Sequence, residues 1–161
     1  MNITKQIVLV VALINAVGVA IASPNDENLI RNAPEFTLDG KSHNHVLPPA
    51  EKAFWSVYAS SNAPAIFTSL ITDSTPAGQA YCLFGIYYLD YDHYQELSKE
   101  YNMKTNRFNV SSGDYGTAYD LVLFVKLLEK KSFAGIFERR KEAIGQPTNA
   151  PYSSPAVGLN R

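Results

Sequence analysis

The chain has almost no cysteine: one of its 161 residues, Cys82. An internal disulfide is therefore excluded. The domain must hold through its core alone, although small exported domains commonly carry paired cysteines. Cys82 sits in an apolar stretch, where a lone thiol reads as a small buried hydrophobe. An excess of one charge is also lacking. Fourteen Lys and Arg against 15 Asp and Glu give a formal net charge of -1. Neither nucleic acid nor an anionic membrane then has an electrostatic claim on the chain. Catalytic signatures are missing as well. A serine nucleophile needs a base and an orienting acid, and no elbow motif surrounds Ser111 or Ser112.

What the chain does have is aromatic side chains, with 10 Tyr, 8 Phe and 1 Trp, and a recognisable leader. Lys5 and the α-amino group form a short positive region. Ile7 to Ala22 is an uncharged run of 16 residues, shorter than the roughly 20 that span a bilayer comfortably. It closes on Ala20-Ile21-Ala22, a small-x-small site for signal peptidase. The spacing predicts a signal peptide over 1–22 and a secreted or periplasmic product. With no cysteine at the cleavage point, neither a lipid anchor nor a stable membrane anchor is expected after cleavage.

The remainder is organised around Ser74 to Asp90. Ser74 or Thr75 can cap a helix, Pro76 fits its first position, and Asp90 can cap the helix that follows. Between them nearly every residue is apolar, aromatic or small, so this helix, about 76–89, must lie inside a core. Gly78 and Gly85 offer close approach to a neighbour. Before it, 23–47 reads as an irregular arm in which Glu35 to Leu38 is either a short strand or simply extended. Helices are predicted at about 49–59, with Ala53, Phe54, Val57 and Tyr58 inward, and at about 63–71, with Ile66, Phe67, Leu70 and Ile71 inward. A fourth helix spans about 91–101 on the stripe Tyr94, Leu97 and Tyr101. Arg107 to Ser111 alternates with period two and predicts a strand. Ser112 to Gly116 is turn chemistry. Helical spacing resumes at Leu121, Phe124, Val125 and Leu128, Glu129-Lys130-Lys131 closes that helix, and Ser132 can cap a continuation through Phe133, Ile136 and Phe137 to about Lys141. The helical domain is thus 48–143, and 144–161, with three prolines among polar residues, reads as a disordered tail.

The series Thr75-Pro76-Ala77-Gly78-Gln79-Ala80-Tyr81, Phe84-Gly85-Ile86-Tyr87 and Asp90 resembles the helix SPAG-x-LY-x-L-x-GL…D of small exported bacterial proteins of uncharacterised function. The resemblance covers about Ala53 to Leu128 and implies no catalytic residue. In those relatives a strand ending Ser-Gly-Cys follows. Here Asp114 stands where the cysteine would be, and Cys82 falls one residue early, so the helix-to-strand disulfide that the resemblance implies for them is absent. Successive short helices with capped, proline-led starts also resemble HEAT-type helical hairpins. The expected fold is therefore mainly α, a compact bundle of short helical hairpins with one small β element near 107–119.

Functional candidates are sparse. Tyr87, Tyr88, Tyr91 and Tyr94 form the densest aromatic segment, and tyrosine suits binding surfaces because it combines area with a polar handle. They are the expected contact surface for another protein. His43 and His45 would point to one side of an extended segment and could share an ion, with His93, Asp90 or Asp92 as a third ligand. The plainer reading is a pair of polar arm residues. Asp90, Asp92 and Asp114 fall where caps and turns belong. Asn109-Val110-Ser111 matches a glycosylation acceptor, relevant only in a eukaryotic secretory pathway. The chain therefore reads as an exported, non-enzymatic binding or accessory module without a cofactor. The alternative is a metal-dependent or hydrolase-like envelope enzyme built on His43, His45 and nearby carboxylates.

Overall fold

Among the described residues, helix formation begins at Ser23. The computed structural model describes residues 22–41, 46–113 and 115–145, and α1 (Pro24–Arg31) opens on a reciprocal cap. Ser23 Oγ accepts from the Asp26 N–H at 3.1 Å, and the Asp26 carboxylate accepts from the Ser23 N–H at 3.3 Å. Pro24 fills the first helical position, where no amide hydrogen is needed. The strand β1 (Glu35–Lys41) follows. The segment 23–47 is thus not an irregular arm, because Ile30, Phe36 and Leu38 are buried in the core and fix both elements. Its prolines and scattered charge concealed short elements whose order comes from tertiary burial.

Six helices and a hairpin complete the described chain. They are α2 (Pro49–Tyr58), α3 (Ala63–Leu70), α4 (Pro76–Leu89), α5 (Tyr91–Tyr101), β2 (Arg107–Gly113), β3 (Tyr115–Asp120), α6 (Leu121–Glu129) and α7 (Ala134–Gly145). The architecture is mainly α with a small sheet, ordered β1-β2-β3. The turn expected at Ser112–Gly116 joins β2 to β3, with Ser112 opposite Tyr115. β1 adds in parallel to β2, pairing Glu35 with Asn109 and Thr37 with Ser111. Lys131, in the left-handed region at φ 57°, separates α6 from α7. No described helix is long and apolar enough to cross a membrane. The expected signal segment 1–22, apart from Ala22, and residues 146–161 lie outside the described residues.

α4 is the axis of the fold. Thr75 Oγ1 accepts from the Gly78 N–H at 3.1 Å to start it, and Asp90 Oδ1 accepts from the His93 N–H at 3.1 Å to start the next helix. Ala77 to Ile86 is buried with the exception of Gln79, and α4 touches α1, α2, α3, α5, α6, β1 and β2. An all-apolar helix needs such enclosure. Phe36 of β1 meets Tyr81 and Phe84 of α4 and Phe124 of α6 at centroid distances of 4.7, 5.6 and 4.9 Å. These tilted and edge contacts are the favoured aromatic geometries.

Two glycines decide how closely α4 is packed. A Cβ on Gly78 would come within 2.5 Å of the Ile30 carbonyl oxygen, which belongs to the backbone and cannot swing away. A Cβ on Gly85 would land on the ring of Phe67, itself fully buried. Alanine gains about 1 kcal/mol over glycine in a free helix, but overpacking a dense core costs about 1–3 kcal/mol. Gly78→Ala and Gly85→Ala should therefore each shift urea midpoints downward, Gly78→Ala the more strongly. Unchanged or raised midpoints would contradict this packing.

Candidate functional site

The most concentrated polar chemistry in the described residues lies along the outer edge of β1. Among the described strands none lies beyond that edge, and unpaired buried backbone groups are costly. Side chains from three helices supply the partners. The Tyr81 phenol accepts from the Thr37 N–H and donates to the Thr37 carbonyl, both at 3.0 Å, and lies 3.0 Å from Thr37 Oγ1. Pairing with β2 is irregular between Thr37 and Lys41, and Gly40 there takes a left-handed φ of 68°. Two further side chains meet the groups that this irregularity releases. Glu51 Oε2 of α2 accepts from the Gly40 N–H at 3.0 Å. Arg140 Nε of α7 donates to the Leu38 carbonyl at 3.3 Å and sits 3.3 Å from Asp39 Oδ1 and 3.8 Å from Glu51 Oε1.

Glu51 is fully buried and Arg140 nearly so. Burial pushes the Glu51 carboxyl up from its ordinary range, against the Gly40 N–H, Thr37, Arg140 and Trp55, which all favour its charge. Burial likewise raises the Tyr81 phenol and the Cys82 thiol, so Cys82 is an inert core residue. Tyr81, Thr37 and Glu51 are enclosed, so the cluster serves the β1 backbone from within the core. Glu51 gave no sequence signal, since it stands beside Lys52 in the first turn of an ordinary amphipathic helix.

The four tyrosines are placed very differently from one another. Tyr94 is buried, its hydroxyl donating to the Val125 carbonyl at 3.4 Å, so it is a core residue and not a contact surface. Tyr88 is half-buried and stacked on Phe137 at 3.8 Å; burial pushes its phenol up to about 12. Tyr87 is half-buried between Tyr91 and Tyr94. Tyr91 alone of the four is exposed, at 50%. The helical period that groups these residues also turns three of them toward neighbours. His43 and His45 lie outside the described residues. Asp90 is occupied as a cap, and His93 lies 4.0 Å from Glu96. Among the described residues no three His, Cys, Asp or Glu side chains gather as a metal site.

The larger concave feature is apolar. A groove of about 560 Å3 runs between the second half of α1 and the segment entering α2. Leu29, Pro34, Val46, Leu47, Pro48, Pro49 and Ala50 line it, with Asn28, Asn32 and Glu35 at polar positions. Those polar groups are engaged: Asn32 Nδ2 donates to Asn28 Oδ1 at 2.9 Å, and Glu35 Oε2 accepts from Ser111 Oγ at 2.9 Å. Val46 is 65% exposed. A smaller hollow of about 320 Å3 lies where Thr75 and Pro76 meet Arg107, Asn109 and Ala118. Sequence reasoning missed the groove because one wall falls in the supposed arm and the other straddles its boundary with the helical domain. The one available signal was the apolar pentad Val46 to Ala50. Compared with protein-family models, curated proteins and solved structures, the chain matches none.

Two measurements test the edge cluster. Tyr81→Phe strips Thr37 of its phenol partner and should cost about 1–3 kcal/mol, the usual loss for stranded buried polar groups. Glu51 is a carboxyl raised in the folded state, so its favourable contribution is complete below the unfolded value and is lost as pH rises through the folded value. Relative to Glu51→Gln, the wild type should therefore lose stability as pH increases above the ordinary glutamate range. Parallel denaturation curves at acid and neutral pH for the two proteins would refute the buried-carboxylate assignment.

Proposed function

We propose that the chain is an exported, non-enzymatic binding module that takes up an apolar segment of another protein in the groove beside α1. The groove carries this reading: its volume lies within the range of ligand sites, and its lining is apolar with a few ordered polar groups. Three prolines in the walls, Pro34, Pro48 and Pro49, restrict the backbone in advance, so binding orders less of the host chain. Tyr91, exposed beside half-buried Tyr87, is a subsidiary contact area that retains part of the expected tyrosine surface. Export rests on the leader and its Ala20-Ile21-Ala22 site. Kinship with small exported bacterial proteins rests on the residues of α4. The packing of α3 on α4 and of α4 on α5 is compatible with a HEAT-like arrangement of hairpins, and we include that likeness in the proposal.

The test is selection from a random peptide library against the purified chain, followed by titration of the recovered peptides. They should be rich in apolar residues. Val46→Asp, a change at an exposed position, should weaken them by about tenfold, equivalent to about 1.4 kcal/mol, with thermal unfolding unchanged. Equal affinity for the wild type and Val46→Asp would remove the groove from the account.

A further inference from the structure

The smaller hollow shares only Pro34 with the groove and lies between two fixed walls. One wall is the turn into α4. Thr75 Oγ1 donates to the Ala33 carbonyl at 2.7 Å and accepts from the Gly78 N–H at 3.1 Å. The Thr75 N–H donates to the Arg31 carbonyl at 2.9 Å. These bonds hold Ala33, Pro34 and Pro76 as an apolar rim. The other wall is the hairpin. Asn109 of β2 pairs with Ala118 of β3, and Arg107, two residues earlier, shares the Asn109 face. The volume of about 320 Å3 falls at the small end of the range for ligand sites.

Arg107 is exposed and is the one charged residue in this lining. The carboxylates nearest in register do not neutralise it. Asp120 stands directly opposite Arg107 on β3, where opposite charges ordinarily attract across a ladder. Asp120 Oδ1 is instead turned onto α6, accepting from the Leu123 N–H at 2.7 Å. Glu35, opposite Asn109 on β1, turns Oε2 to the Ser111 hydroxyl at 2.9 Å. Among the described residues Arg107 has no ion pair and no side-chain hydrogen bond.

We propose that the hollow is a second binding site, for a carboxylate carried on a compact apolar body. Arg107 supplies the planar fork of N–H donors that a carboxylate accepts in pairs. Asn109 adds a neutral amide, and the alanines and prolines receive the apolar part. One cation matches one negative charge. A phosphate dianion would keep an uncompensated charge close to Asp120 and Glu35. Free carboxylic acids and peptide chain ends share this chemistry.

The experiment titrates the full chain with hexanoate and with the dipeptide acid acetyl-Ala-Leu, each beside its own amide. At least one acid should bind about tenfold more tightly than its amide, as expected for a hydrogen-bonded charge pair. Binding by hexanoate alone would assign free acids, and binding by the dipeptide alone would assign chain ends. Arg107→Gln should remove the preference for acid over amide, and Arg107→Lys should restore part of it, with unchanged circular dichroism spectra. Ala118→Leu, at an exposed position, should fill the hollow and weaken the acid although Arg107 is intact. Val46→Asp should leave the acid unaffected, so that failure of the groove and failure of the hollow are read separately. Three results would overturn the assignment: no binding of either acid at millimolar concentration, equal affinity for acids and amides, or an acid preference that survives Arg107→Gln.

Discussion

The structure depends on the covering of one strand edge. β1 lies at the margin of its sheet yet inside the molecule, a position that ordinarily strands a row of amides and carbonyls in an apolar medium. Tyr81, Glu51 and Arg140 satisfy that row from α4, α2 and α7, so one polar network ties the axis of the fold to its early and late helices. The network accounts for a carboxylate and a guanidinium in an otherwise aromatic interior. Removing one member would leave the other charge without full compensation, which is why buried pairs are costly to break even where their net contribution is small.

Aromatic packing and close helical approach act together around this edge. Phe36 projects from β1 into a cluster with Tyr81, Phe84 and Phe124, so the strand that needs polar partners on its margin also supplies a large apolar anchor. Gly78 and Gly85 bring α1 and Phe67 against α4 at distances that alanine would not permit. A chain without disulfides obtains its rigidity from such contacts, because dense interiors transmit any change of volume.

How much was legible in the sequence follows from the range of each interaction. α4 could be read from Thr75, Pro76 and its unbroken apolar content, since caps and composition are local. The strand from Arg107 could be read from its alternation. β1 could not be assigned with certainty, because its partner is β2, and the Glu35 and Ser111 side chains that meet across that pairing are 76 positions apart. α1 was concealed by prolines and charge although its capping box was present in the letters. Of the tyrosine surface, periodicity located the cluster but could not say which flank met α6 and α7, and Tyr94 proved to face inward. The groove joins two segments that only the fold brings together. A buried Glu51 has no local signature at all, because what makes it unusual is the arrival of Gly40 and Arg140.

The parallel pairing of β1 with β2 has a kinetic consequence. Four helices separate the two strands, whereas β2 and β3 close as a local hairpin. Non-local closure is slow because chain entropy is lost before contacts compensate for it. Arg140, which completes the cover of β1, lies in the last described helix. A chain emerging from its amino end would hold most of its helices before the sheet could form, and its first strand would remain open until its final helix arrived.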